Sequence, residues 1–166
     1  MSDTYISKKL VCSTINTISN STLTNFEIDS LNFDYEGFTF EIDKLTYKSR
    51  LAKKTPKKKG YFVAFWRKNE FNENIPFDYD TTEDKLIINI IDNDKIGQFI
   101  FPKNILKEKG VIKSNKSKGK MAMRVYPSWV SNLNATAKST QRWQTKYFVD
   151  LSNDFNQEKL YPLYFR

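Results

Sequence analysis

The stretch that most restricts the fold is residues 85–102, KLIINIIDNDKIGQFIFP, in which two apolar runs flank four polar residues. Both runs are rich in β-branched and aromatic residues, and the Asp and Asn residues between them favour a turn. The pattern therefore predicts a β-hairpin with its turn at DNDK. Pro102 should end the second strand, and Gly110 should close a short helical segment over KNILKEKG.

Other segments predict further strands and two helices. In GFTFEIDKLTYK, the residues Phe38, Phe40 and Ile42 alternate with polar residues, which indicates a strand with one buried face. The segment GYFVAFWRK is apolar on both faces until Arg67, so we expect it at an internal position in the sheet. Apolar spacings of three and four residues predict a helix over residues 4–18 and another over NATAKSTQRWQTKYF.

Length and composition limit the class of protein. The chain has 166 residues, 39% of them apolar, so we expect a single domain over residues 1–166. There is no histidine, and Cys12 is the single cysteine, which argues against zinc, haem and Ser-His-Asp chemistry. The N-terminus lacks the apolar core of a signal peptide, and no stretch approaches the roughly 20 apolar residues of a membrane span. We therefore expect a cytoplasmic protein without a membrane span.

Positive charge is concentrated in two blocks of the sequence. The net charge of +8 favours polyanionic partners, nucleic acid first and an anionic membrane surface second. Residues 44–68 contain ten Lys or Arg and no acid, whereas residues 27–43 contain six acids and no base. In the second block, residues 103–124, only Glu108 opposes the basic residues. A solvated charge run is the ordinary explanation for one such loop, but two blocks beside aromatic strands favour binding of phosphates and stacking on unpaired bases.

The candidate nucleic-acid-binding residues combine these cations with nearby aromatic side chains. Aromatic residues at strand spacing usually belong to the core, and we assign Phe62, Phe65, Phe99 and Phe101 to it. We expect seven basic residues of the two blocks to contribute to one positive surface: Arg50, Lys53, Lys58, Lys59, Arg67, Lys120 and Arg124. The candidate set is Arg50, Lys53, Thr55, Lys58, Lys59, Trp66, Arg67, Lys103, Lys120, Arg124, Tyr126, Trp129, Arg142 and Trp143.

The dipeptide Thr55-Pro56 at the centre of the first block allows two interpretations. Proline disfavours helical backbone in the preceding residue, so the loop is either extended or begins a turn before Gly60. If the loop is extended, Lys53 and Lys59 should face the ligand together with Thr55.

Four motifs in order resemble the MepB-like family: RLAKKTPKKKGYFVAFWRK, GQFIFPK, GKMAMRVYPSW and TQRWQTKYF, all within residues 38–148. Members are small bacterial proteins named from a multidrug-export operon, without an assigned biochemical role. The resemblance implies an α+β fold in one domain, with a central mixed β-sheet flanked by helices, similar to type II restriction endonucleases.

A restriction-endonuclease-like fold would imply a particular catalytic plan. In that superfamily an Asp is followed on the next strand by Asp/Glu-x-Lys, so that two carboxylates hold Mg²⁺ and the lysine helps to activate water. Here the strand after the basic loop reads AFWR at residues 64–67, without a carboxylate. The candidate catalytic residues are instead Glu41 and Asp43, expected on one strand face, with Lys44 beside them. Solvent-exposed charge is the ordinary explanation for such a pair.

Three functions therefore remain open at this stage. The leading hypothesis is a nucleic-acid-binding protein without catalysis or cofactor, which contacts single- or double-stranded DNA, or RNA, mainly through phosphates. The second is a Mg²⁺-dependent nuclease that uses Glu41 and Asp43. The third is a regulatory module whose positive face binds an acidic protein. The oligomeric state is left open.

Overall fold

The computed structural model describes residues 5–154 and 156–166 of the chain. Within these residues the helices are α1 (Ile6–Ile18), α2 (Lys103–Glu108), α3 (Ala135–Gln144) and α4 (Gln157–Phe165), with 3₁₀ turns at Ser30–Tyr35 and Thr145–Tyr147. The strands are β1 (Thr24–Ile28), β2 (Phe38–Ile42), β3 (Leu45–Leu51), β4 (Lys53–Lys54), β5 (Tyr61–Ala64), β6 (Arg67–Lys68), β7 (Asn74–Ile75), β8 (Lys85–Asp92), β9 (Lys95–Pro102), β10 (Ala122–Val125) and β11 (Phe148–Asp150). None of these helices has both the length and the apolar content to cross a bilayer.

A six-stranded sheet forms the centre of the fold, with the strand order β1-β2-β3-β8-β9-β11. Strands β3 and β8 are parallel, whereas the other neighbouring strands are antiparallel. The sheet is therefore mixed, and the predicted α+β fold with a central mixed sheet and helices is confirmed.

The hairpin predicted over residues 85–102 is present as β8 and β9. The two strands pair from Lys85 opposite Pro102 to Asp92 opposite Lys95, around a two-residue turn. Asn93 in this turn has a φ of 56°, a left-handed conformation that Asn tolerates better than most residues. The predicted short helix follows as α2, and Gly110 beyond it has a φ of 70°.

Both faces of the central sheet are covered, which explains why β8 is apolar on both faces, with Asn89 as the one polar residue between Leu86 and Ile91. Ile87 faces α1 and α4 and packs in one buried cluster with Phe38, Phe40 and Ile42. Ile88, the next residue, faces the opposite side, where a second buried cluster includes residues of α2 and of the strands β5 and β10. Successive strand residues point to opposite faces, so a strand covered on both sides is mostly apolar. The buried Asn89 is accommodated because its side-chain amide donates hydrogen bonds to Ser49 Oγ at 2.8 Å and to the Arg50 carbonyl at 2.9 Å.

The segment GYFVAFWRK lies outside the central sheet. Its first part is β5, the middle strand of a separate three-stranded sheet with the order β10-β5-β4. The segment is internal to this three-stranded sheet, but the prediction that it lies inside the central sheet is wrong. The segment then leaves this sheet, and Arg67 and Lys68 form a two-stranded ribbon with β7.

Candidate functional site

The three-stranded sheet brings the two basic blocks together. Strand β10 of the second block pairs with β5, which directly follows the basic loop of residues 55–60. From β10, Arg124 Nη2 donates to Thr55 Oγ1 at 2.8 Å and to the Lys58 carbonyl at 3.2 Å. The Lys59 carbonyl accepts from Arg124 Nε at 3.1 Å and from Nη2 at 2.9 Å. One guanidinium therefore fastens the loop of the first block to the strand of the second.

The lysines of this loop face solvent. Lys57, Lys58 and Lys59 are exposed, and among the described residues no carboxylate lies within salt-bridge distance of them. The ammonium of Lys59 donates to the carbonyl of Ser131 at 3.2 Å and to that of Asn132 at 2.8 Å. Lys59 therefore links the loop to the segment that leads into α3, while Lys57 and Lys58 retain uncompensated charge.

A cavity of 490 Å³ lies between the basic loop and the start of α3, and we call it the loop cavity. Every charged residue in its wall is a cation. The wall consists of Lys57, Lys58, Lys59, Arg124, Tyr126, Asn132, Leu133, Asn134, Thr136 and Ala137.

A second cavity, of 310 Å³, shares Arg124 and Tyr126 with the first, and we call it the Trp143 cavity. Its charged residues are again all cations. The ring of Trp143 is half-buried, with its centroid 5.5 Å from that of Phe101 and 5.9 Å from Lys109 Nζ. The remaining wall residues are Lys109, Val111, Lys120, Met123, Thr140 and Gln144.

The shared wall of the two cavities is fixed by Gly60 and Gln144. Gly60 has a φ of +80°, and a Cβ at this position would lie 2.6 Å from Tyr126 Cδ1, so the Tyr126 ring lies directly against the glycine. The buried Gln144 side chain accepts a hydrogen bond from the Tyr126 amide at 2.9 Å and donates one to the Arg124 carbonyl at 3.0 Å. Helix α3 is thereby tied to the end of β10, where both cavities meet.

Seven of the predicted binding residues meet at this site. Six of them line one or both cavities, and the hydroxyl of the seventh, Thr55, is bonded to Arg124. The six are Lys58, Lys59, Lys120, Arg124, Tyr126 and Trp143.

The other predicted basic residues lie away from the two cavities. Lys53 Nζ is 5.0 Å from the ring centroid of Tyr35, and Lys103 Nζ is 4.8 Å from that of Tyr79. Arg67 is half-buried in the β6 ribbon, while Arg142 is exposed in the last turn of α3.

Two of the predicted stacking residues have structural contacts instead. Trp129 donates from Nε1 to the Tyr61 hydroxyl at 3.2 Å and packs edge-on against Phe148. Trp66 lies below the Lys68 ammonium, which is 5.5 Å from its ring centroid. Neither ring lines the loop cavity or the Trp143 cavity.

The expectation that Arg50 contributes to an exposed surface is wrong. Its side chain is completely buried, with Nη2 2.6 Å from Asp29 Oδ2 and Nη1 donating to the Ser49 carbonyl at 2.9 Å. Burial lowers the pKa of Arg50 from its usual value, and the Asp29 carboxylate opposes that lowering. Gly37 packs against the guanidinium, so Arg50 stabilises the fold from inside.

The basic loop turns instead of remaining extended. Strand β4 ends at Lys54, and Thr55 Oγ1 donates to the Lys58 carbonyl at 3.3 Å. The interpretation of Thr55-Pro56 as the start of a turn before Gly60 is therefore correct. The alternation that would place Lys53 and Lys59 on one side with Thr55 does not exist in this loop.

The candidate catalytic residues lie at the turn between β2 and β3. Glu41 Oε2 accepts a hydrogen bond from Asn25 Nδ2 at 2.6 Å. Asp43, with a φ of 54°, lies in the turn with Lys44, beyond the end of β2, so the expectation that Glu41 and Asp43 share a strand face is wrong. No group of three or more His, Cys, Asp or Glu side chains within residues 5–154 and 156–166 is arranged to hold a metal ion.

Sequence reasoning missed several residues of the site. Lys57 and Lys109 belong to the two basic blocks, but nothing in a charge run shows which lysines will border a cavity. Thr140 precedes Trp143 by three residues in α3, a spacing that places both side chains on one face of the helix and in the wall of the Trp143 cavity. Gln144 carries no sequence signal for its two hydrogen bonds, because both partners lie about twenty residues earlier in the chain.

Together, the fold and these cavities define a small α+β protein with a mixed central sheet and a cationic surface lined by aromatic residues. The model of the MepB-like family matches residues 29–150, and the chain belongs to this family. It is also similar to a solved structure described as the crystal structure of MepB, with 44% sequence identity and a TM-score of 0.79. That match covers 90% of this chain and 99% of the other. No curated protein sequence matches the chain.

Proposed function

We propose that this protein binds nucleic acid at the loop cavity and the Trp143 cavity, through phosphate contacts and stacking, and without catalysis. The observation that most supports this function is that the two cavities share Arg124 and Tyr126 and that every charged residue in either wall is a cation. A polyanion with flat, apolar bases complements such a surface in both charge and shape.

Phosphate contacts should supply most of the affinity. Lys57 and Lys58 are exposed and unpaired with any carboxylate of the described residues, so phosphates can approach them without displacing an existing ion pair. Phosphate groups are the same in every sequence, and such contacts position a protein without reading bases. We therefore expect weak sequence preference.

The proposal extends to the kind of fold and to the location of the protein. We assign the chain to the restriction-endonuclease-like folds, which the mixed sheet flanked by helices supports, and we place its function in the bacterial cytoplasm.

A nuclease of that type needs clustered carboxylates, and AFWR at residues 64–67 contains none. Glu41 and Asp43 are separated between a strand and a turn, so binding is better supported than cleavage.

The test is a titration of labelled single-stranded DNA, duplex DNA and RNA of equal length at two salt concentrations, each with and without Mg²⁺. We expect binding that weakens as salt is raised, with all probes recovered intact. Mg²⁺-dependent cleavage would instead support the nuclease hypothesis. Failure to bind any of the three probes at low salt would overturn the proposal and favour a regulatory module that binds an acidic protein.

A further inference from the structure

We infer that the two cavities together hold one unpaired nucleotide of a single strand, with its base in the Trp143 cavity and the adjoining phosphate in the loop cavity. This inference rests on the proposed function and adds the substrate class, which is single-stranded nucleic acid with an accessible base.

The Trp143 cavity has the character of a base pocket. Its volume of 310 Å³ is at the lower end of the range of about 300–1,000 Å³ that is typical of small-ligand pockets. The apolar side chains of Val111 and Met123 and the Trp143 ring line it, and contact with Phe101 holds that ring in place. A flat base can stack on such a ring, and Lys109 and Lys120 can donate hydrogen bonds to its edge.

The loop cavity suits the phosphate that adjoins this base. Lys57 and Lys58 supply mobile ammonium groups, whereas Lys59 is held in place by the carbonyls of Ser131 and Asn132. The guanidinium of Arg124 adds a fixed positive charge in the wall between the cavities. Phosphate at this position would therefore meet two cations held by hydrogen bonds, Lys59 and Arg124, and two exposed ones, Lys57 and Lys58.

The shared wall explains why one nucleotide should occupy both cavities. Arg124 and Tyr126 line each of them, so the two spaces adjoin at these side chains. A base and its own phosphate are joined through one sugar, so they also lie next to each other. Bases in a duplex are stacked between neighbours and cannot enter a separate pocket without being extruded, which costs a few kcal/mol. The arrangement therefore favours single strands.

The first experiment compares three labelled probes with equal numbers of phosphates per strand: a single strand, the same strand built entirely of abasic sites, and a duplex. Stacking on an aromatic side chain contributes about 1–3 kcal/mol per base, so the single strand should bind about 5- to 160-fold more tightly than the abasic strand. The duplex should bind more weakly than the single strand at the same salt concentration.

The second experiment uses Thr140→Met, which narrows the Trp143 cavity. It keeps every charge and the contact of Trp143 with Phe101, and Met is the better helix former. The affinity for the single strand that carries bases should fall to the affinity for the abasic strand, while the affinity for the abasic strand should not change. Trp143→Leu should likewise weaken binding of the strand that carries bases and leave binding of the abasic strand unchanged. Circular dichroism should show that this variant keeps its native helix content.

The matched variant for the loop cavity is Lys57→Gln with Lys58→Gln, which should lower the affinity for the base-carrying strand and for the abasic strand by the same factor. Equal binding of the ordinary and abasic strands by the wild-type protein would overturn the base pocket and leave nucleic-acid binding in place. Tighter binding of the duplex would overturn the single-strand preference alone. If none of the probes binds, the proposed function fails together with this inference.

Discussion

Arg124 Nη2 lies 2.8 Å from Thr55 Oγ1, and this hydrogen bond joins the strand of one basic block to the loop of the other. The same guanidinium donates to the Lys58 and Lys59 carbonyls, so it binds three acceptor groups of a loop whose own side chains repel one another. The shape of the loop cavity therefore depends on the planar fork of an arginine, and charge alone cannot replace it.

Arg124→Lys should loosen the basic loop although it preserves the charge. An ammonium cannot satisfy Thr55 and both carbonyls in the same geometry, so the loop should open more often. We expect faster cleavage by a lysine-specific protease within residues 57–59, and weaker binding of a labelled oligonucleotide. Thr55→Val removes one of the three acceptor groups and leaves both carbonyls bound to Arg124, so it should have a smaller effect. Unchanged proteolysis and affinity in Arg124→Lys would contradict this account of the loop.

Asp29→Ala should strongly destabilise the protein. It leaves the completely buried Arg50 without its carboxylate partner, and breaking such a pair typically costs about 3–5 kcal/mol. The Asp29 side chain is 20% exposed, so we expect the lower part of that range. The control is Lys54→Ala, since the Lys54 side chain is 72% exposed and its ion pair with Asp92 should contribute less than about 1 kcal/mol. Urea unfolding that gives equal losses for the two variants would refute the structural role of Arg50.

The contrast between Arg50 and Phe40 shows what a sequence reveals about this fold. Phe40 belongs to a period-two pattern that identifies a buried strand face from adjacent residues alone. Arg50 lies in a basic block, and its burial depends on Asp29, twenty-one positions earlier, and on a glycine that makes room for it. Local patterns therefore predicted the hairpin and the strands, whereas the parallel pairing of β3 with β8 depends on contacts between distant segments.

Gly60→Ala should disturb both stability and binding. The new methyl group would require a strained φ of +80° and would lie 2.6 Å from Tyr126 Cδ1, so the ring in the shared wall must move. We expect a loss of about 1–3 kcal/mol in the free energy of unfolding, together with weaker oligonucleotide binding. Gly110→Ala is the matched control, because its φ is +70° but its Cβ would approach only Ser117 Oγ, at 3.1 Å. If the two variants lose oligonucleotide affinity by the same factor, the position of the Tyr126 ring is not important for the ligand.

Tyr61 should contribute to the loss of stability at alkaline pH. Burial, followed by the 2.7 Å hydrogen bond from its hydroxyl to Asp92 Oδ2, raises the pKa of Tyr61 to about 12. In the unfolded chain the pKa of tyrosine is about 10, so the folded state holds this proton more tightly. The resulting stabilisation is complete below about pH 10 and is lost as the pH rises toward 12.

The measurement for Tyr61 is the free energy of unfolding of the wild type and Tyr61→Phe across this alkaline range. The variant should lose stability less steeply with pH, and its phenolate absorbance should lack a component that titrates near pH 12 in the wild type. Identical slopes for the two proteins would show that Tyr61 ionises as readily in the folded state as in the unfolded one.

The candidate site was less accessible to sequence reasoning than the fold. Charge blocks and aromatic residues singled out Lys58, Lys120, Arg124 and Trp143, which line the two cavities, because these residue types suit a polyanion wherever they are exposed. Exposure itself is decided by packing. Trp129 is a candidate of the same type as Trp143, yet its indole donates a hydrogen bond to Tyr61, packs against Phe148 and lines neither cavity.

The most direct test of nucleic-acid binding at the loop cavity is the salt dependence of affinity for one labelled single strand. It is measured for the wild type, for Lys57→Gln with Lys58→Gln, and for Lys9→Gln with Lys44→Gln, exposed lysines that line neither cavity. Each neutralised phosphate contributes about 0.7 to the slope of log affinity against log salt for single strands, so the loop variant should lower the magnitude of the slope by about 1.4. The control pair, which removes the same net charge, should leave the slope close to that of the wild type. Equal losses of affinity and slope in the two variants would show that the ligand responds to net charge alone, and would contradict a binding site at the loop cavity.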